Sequence, residues 1–161
     1  MDISDYISLT SAVIALSAMG IAIWQGYISR RHNILSVAPK LGIHTNYLNG
    51  LVLTLENNGL GPAVIESFTL TCGNKEYINP TNDIYLEALS SIGLDPMELE
   101  FSYEYHLPTV DTTYTAGTKK RLLEINPRSE KCTIETLNEI DNNLLFKIKY
   151  RSMYENEKYS I

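Results

Sequence analysis

The side chains with the most chemical promise in this sequence are cationic. Lys119, Lys120 and Arg121 run together, Arg128 and Lys131 follow, and Lys147, Lys149 and Arg151 recur at every second position. They stand in a chain with 13 Lys and Arg against 19 Asp and Glu, a formal net charge of −6. That balance argues against a general nucleic-acid coat and leaves room for a local basic pocket. Tyr103, Tyr105, Tyr114 and Tyr150 offer stacking surfaces. Cations with aromatic rings are what a short single-stranded oligonucleotide needs, so these eight basic residues form the candidate ligand-binding set. A second reading competes with the first. Strands carry charge on their wet face, and tyrosines at the same period turn into the core.

Other chemistry is sparser. His32, His44 and His106 are the only histidines, and none has paired-ligand spacing. Cys72 and Cys132 lack a CxxC, which argues against zinc. In a reducing compartment they are two free thiols. Glu98, Glu100 and Glu104, with Asp95 nearby, imitate paired acids but read more simply as the solvated face of a strand. No nucleophile elbow, Walker loop or Rossmann fingerprint is present. Gly59-x-Gly61-Pro62 falls between two strands, where it makes a turn rather than a phosphate cradle. The expectation is a protein with no catalytic site, no metal and no cofactor.

The element that must position all this is Tyr6 to Ile28, a run without a charged residue. As a helix, about 23 residues at ~1.5 Å each reach about 35 Å, enough for a hydrocarbon core of about 30 Å. The start Met1-Asp2-Ile3-Ser4-Asp5 has no basic residue, unlike a cleaved signal peptide. Arg30 and Arg31 follow the run. Basic flanks face the cytoplasm, so the N-terminus is expected outside and the remainder in the cytoplasm of a bacterial inner membrane. Trp24 and Tyr27 near Arg30, and Tyr6 at the far end, mark the two interfaces.

The faces of this helix differ. Ser8, Ser11, Ala15, Ala18, Ala22 and Gln25 recur at steps of three and four and line one face. Ala18, Ala22 and Gly26 form a small-xxx-small series. Small residues let helix backbones approach, so self-association against lipid is expected. The seam closes a dry bundle or lines a pore with a polar mouth at Ser8 and Ser11 and a narrow apolar throat.

Residues 1–31 thus read as a membrane helix with its flanks, 32–40 as a connector and 41–161 as one cytoplasmic domain. Ser36 to Pro39 reads as extended. Strands are expected at Leu41–Thr45, Leu51–Glu56, Val64–Thr71, Glu76–Ile78, Leu99–Leu107, Lys119–Ile125, Leu144–Arg151 and Lys158–Ile161, the last reached by a turn at Glu155-Asn156. In Val64–Thr71 the alternation is imperfect: Val64, Phe68 and Leu70 share a face with Glu66. A helix capped by Thr81 or Asn82 is expected up to Ser91, Val110–Gly117 reads as a polar loop, and Thr133–Ile140 fits helix or loop. The fold class is mainly β: an apolar N-terminal helix, then an antiparallel β-sandwich with one or two short helices.

The stretch Leu55-Glu56-Asn57-Asn58-Gly59-Leu60-Gly61-Pro62-Ala63-Val64-Ile65, behind a single membrane helix and the connector Arg31-His32-Asn33-x-Leu35-Ser36-Val37-x-Pro39-x-Leu41, resembles small bacterial membrane proteins. These carry an immunoglobulin-like sandwich behind one helix, and the resemblance covers roughly residues 1–70. The layout is also similar to channel-like transmembrane effectors of Hailong-type anti-phage defence systems, paired with a nucleotidyltransferase that makes an oligonucleotide signal. That resemblance implies a homo-oligomer, partners in membrane lipid and an oligonucleotide, and membrane disruption when ligand control is released. The alternative is an anchored interaction module that recruits a partner to the membrane.

Overall fold

The computed structural model describes residues 2–95, 97–154 and 158–161. It divides into two compact units, Met1–Ser36 and Val37–Ile161.

The first unit is one helix, α1 (Ile3–Ser36). Its 34 residues span about 51 Å at ~1.5 Å per residue. It is long and apolar enough to cross a membrane, and none of its side chains in that span is buried within the chain. Ser8, Ser11 and Ser17 donate to the carbonyls of Ser4, Ile7 and Val13, one turn back, at 2.8–2.9 Å. Thr10 does the same to Tyr6. The helix outruns the expected boundary, since the first half of the 32–40 connector is helical. Residues 32–36 contain no Gly or Pro to stop it. Pro39 stops it instead, by excluding helical backbone at Ala38 and lacking an N–H.

The second unit is a sandwich of two antiparallel sheets. In chain order its elements are β1 (Leu41–Asn46), β2 (Leu51–Asn57), β3 (Ala63–Cys72), β4 (Lys75–Ile78), α2 (Tyr85–Ser91) and β5 (Phe101–Tyr105). Then follow β6 (Thr113–Tyr114), β7 (Lys119–Pro127), α3 (Ile134–Asn143), β8 (Leu144–Ser152) and β9 (Lys158–Ser160). One sheet has the order β1-β2-β7-β5, the other β4-β3-β8-β9, with the two-residue β6 added to β3. With β6 set aside and the rest lettered along the chain, these orders are A-B-E-D and C′-C-F-G. The first is the four-stranded sheet of an immunoglobulin constant-type sandwich, and the second extends its partner by one strand. Leu51, Leu53, Leu55, Leu123 and Ile125 from one sheet meet Ile65, Phe68, Leu70 and Ile148 from the other in a single core. Cys72 and Cys132 are free, buried thiols.

Several local expectations change, each for a physical reason. In β3 a bulge between Ile65 and Ser67 resets the alternation. Ile65 is therefore fully buried with Phe68 and Leu70, while Val64 pairs with Arg151 rather than sharing their face. The strand expected over Leu99–Leu107 shrinks to Phe101–Tyr105, because Glu100 adopts a left-handed φ of +54° and breaks the extended run. α2 begins only at Tyr85, with no side-chain cap from Thr81 or Asn82. Asp83 instead accepts from the Tyr85 N–H at 3.0 Å. The polar loop Val110–Gly117 hides a strand, β6, whose Tyr114 is buried. The helix-or-loop segment is helix, capped by the Thr133 hydroxyl on Thr136 N–H. The turn expected at Glu155-Asn156 lies outside the described residues.

Candidate functional site

A dense polar construction surrounds the point where the chain enters the sandwich. β2 ends at Asn57, which is 2 % exposed although it is an amide. A buried amide persists when all its hydrogen-bonding capacity is used. Asn57 Oδ1 accepts from the N–H groups of Lys40, at 3.1 Å, and Gly59, at 3.0 Å. Its Nδ2 donates to the carbonyls of Gly61, at 2.8 Å, and Tyr114, at 2.9 Å. The backbone joins in: Asn58 N–H donates to the Lys40 carbonyl at 2.8 Å. One residue on, Leu41 N–H donates to the buried hydroxyl of Tyr150 at 3.2 Å.

Two glycines make this approach sterically feasible. A Cβ on Gly59 would lie 2.3 Å from Lys40 N and 2.4 Å from the Ala38 carbonyl oxygen. A Cβ on Gly61 would lie 1.6 Å from the Val37 carbonyl oxygen. The turn Asn57–Gly61 is thus a clamp closed on the segment 37–40. Its backbone is held by hydrogen bonds and fitted so tightly that a methyl group cannot enter.

The clamp continues into a small polar chain. The Tyr114 hydroxyl and His106 Nε2 share a hydrogen bond of 2.9 Å. Burial pushes the Tyr114 hydroxyl up to about 12. Burial and then the charge of Lys120 hold His106 below its ordinary value.

The candidate cations are dispersed. Lys119–Arg121 open β7 and Arg128 follows its end, so the first cluster stretches along about 30 Å of strand. Lys147, Lys149 and Arg151 lie on the other sheet, on the outward face of β8 beside Thr69, Ser67 and Val64 of β3. Carboxylates meet several of them. Lys119 contacts Glu56 at 2.7 Å, Arg121 pairs with Glu124, and Lys131 with Glu100. Arg151, at 3.9 Å, and Lys158, at 3.1 Å, share Glu66. The hydrogen bond from Lys119 holds the Glu56 carboxyl below its usual value. Among the described residues, Lys120, Arg128, Lys147 and Lys149 have no ion pair.

The tyrosines offer little to a ligand. Tyr114 and Tyr150 are in the core, and Tyr150 already stacks on Tyr159 at 5.4 Å. Tyr105 packs on Tyr85. Tyr103 lines a groove along β5.

The proposed seam residues Ser8, Ser11, Ala15, Ala18, Ala22, Gln25 and Gly26 are all exposed on α1, as are Tyr6, Trp24, Tyr27, Arg30 and Arg31. Among the described residues no partner occupies the Gln25 amide. Sequence reasoning missed Asn57. The Asn-Asn-Gly signal announces a turn, but the four groups that make Asn57 structural come from residues 40, 59, 61 and 114.

Fold and geometry together define a class: one long apolar helix, followed by an immunoglobulin-like sandwich that clamps the chain where it enters. Comparison with protein-family models, with curated proteins and with solved structures found no match.

Proposed function

We propose that this chain is an oligomeric inner-membrane effector, in which a cytoplasmic sandwich senses an anionic signal and controls membrane permeability through α1. The observation that carries the reading is the clamp. α1 ends at Ser36, and the segment gripped by Asn57, Gly59 and Gly61 begins at the next residue. A tether needs only a loose linker, whereas a device that passes displacement from a domain to a helix needs its connector held.

Two further features support it. The side chains of residues 3–33 of α1 are unburied, and the small-residue face with the unpartnered Gln25 suits contact with other copies. Arg30 and Arg31 support a cytoplasmic sandwich. A nucleotide or oligonucleotide signal and a setting in defence against phage come from the resemblance of residues 1–70 alone.

The test is ion flux in cells expressing the full chain. Inserting a six-residue Gly-Ser spacer between Ser36 and Val37 is expected to uncouple flux from its signal while leaving expression and membrane insertion intact. Ala22→Leu, which adds bulk to the seam, is expected to reduce the mass of the detergent-solubilised assembly. If neither the native chain nor the spacer variant alters permeability under any condition, the channel reading fails. The chain is then an anchored interaction module.

A further inference from the structure

An open groove of about 570 Å³ runs along β5. That is within the usual range of about 300–1,000 Å³ for small-molecule sites. Its walls are mainly apolar, with Leu86 from α2, Met97 from the following turn, and Phe101 and Tyr103 from β5, while Ser102 and Glu100 also line it. Leu86 and Met97 are 47 % and 87 % exposed, so apolar surface stands open to solvent along the groove. Arg128 stands among them.

The backbone around the groove is strained in one place. Glu100 holds φ at +54°, a conformation that is costly for a non-glycine residue and persists where surrounding contacts enforce it. Here those contacts bear on the groove. The Glu100 carbonyl accepts from Arg128 N–H at 2.9 Å, so the left-handed turn pins Arg128 at the rim. Glu100 also lines the groove, and its carboxylate is ion-paired with Lys131. The hydrogen bonds from Lys131 and then Ser129 hold its pKa down. Arg128 is left as a guanidinium with no carboxylate partner among the described residues. Tyr103 is fixed by its hydroxyl, which donates to Asp83 at 2.7 Å.

We infer that this groove binds a small aromatic anion, with its ring on the Met97, Leu86 and Tyr103 wall and its one phosphate or carboxylate on Arg128. A thioether and a tyrosine ring favour a flat ring, and a free guanidinium favours a planar or tetrahedral oxyanion. The inference rests on the reading of the sandwich as an anion sensor and gives that anion a place. It assigns the role to Arg128 rather than to the basic row of β8.

The experiment is saturation-transfer NMR on the full chain in lipid nanodiscs, in two arms. One arm uses adenosine 5′-monophosphate and the other 2-naphthoate, with adenosine and inorganic phosphate as half-ligands. Ring signals are expected in at least one arm, and the arm that responds names the source of the anion. Arg128→Gln is expected to weaken that binding about tenfold, the loss of one charge-assisted hydrogen bond. Met97→Asp, at an exposed position, is expected to weaken it as well. Lys147→Gln, on the other sheet, should leave it unchanged. Absence of binding in both arms overturns the proposal. So does binding indifferent to both groove variants, or binding lost equally in Lys147→Gln. Arg128-dependent binding without any effect on ion flux keeps the site and removes the permeability reading, while ligand-controlled flux without binding here does the reverse.

Discussion

Replacing Asn57 by alanine tests whether the clamp is as central as its geometry implies. The side chain makes four hydrogen bonds, two accepted and two donated. After truncation, the carbonyls of Gly61 and Tyr114 lose the Asn57 amide donor in buried surroundings, at about 1–3 kcal/mol each. The N–H groups of Lys40 and Gly59 lie nearer the surface, where water replaces part of what is lost. The sum is about 2–6 kcal/mol, against a total of about 5–15 kcal/mol for a domain of ordinary size. With an unfolding entropy of about 2.1 cal/mol/K per residue over about 125 residues, that is a fall in Tm of about 8–23 °C. The assay is thermal unfolding of the full chain in detergent, followed by circular dichroism in the β-sheet band. Asn58→Ala is the control, because its side chain makes a single exposed contact to His44. A fall of less than about 3 °C for Asn57→Ala, or equal falls for the two variants, would refute the argument.

Three further outcomes follow from the fold. Thr133→Ala removes the α3 cap and should cost about 1 kcal/mol, a fall of about 4 °C in the same assay. Phe68→Ala, at a fully buried site, should cost about 3–5 kcal/mol, a fall of about 11–19 °C in the same assay. His106 is neutral-favoured in the fold, by burial and by Lys120, with Tyr114 as its hydrogen-bond partner. Below its ordinary pKa of about 6.5, the unfolded chain therefore binds more protons than the folded one. Stability should fall as pH drops through that value, and His106→Gln should flatten the dependence of Tm on pH in that range. An unchanged slope would contradict it.

The strands were legible wherever a single period ran uninterrupted. Leu51, Leu53 and Leu55 announce their face, and the row Lys147, Lys149, Arg151 announces the opposite side of β8. Legibility failed where one residue broke the period. Glu66 sits at a bulge and Glu100 at a left-handed turn, and neither residue type marks such a conformation in advance. The basic set was legible as composition but not as a cluster. Neighbours along β7 lie tens of ångströms apart by its far end, and the carboxylates that meet them come from other strands. The clamp was half legible. Gly59 and Gly61 were readable as a turn, but the reason they must be glycine is the backbone of residues 37–40, which only the folded chain brings there.

The hydroxyl bonding along α1 bears on what it costs to carry such a run out of water. Ser8, Thr10, Ser11 and Ser17 each return their proton to a carbonyl one turn earlier, so none of these four donors would be bare in an apolar medium. Their satisfaction needs no second copy of the chain, whereas the Gln25 amide stays open to an outside partner. The cost of carrying the run into such a medium falls on that amide rather than on the four hydroxyls.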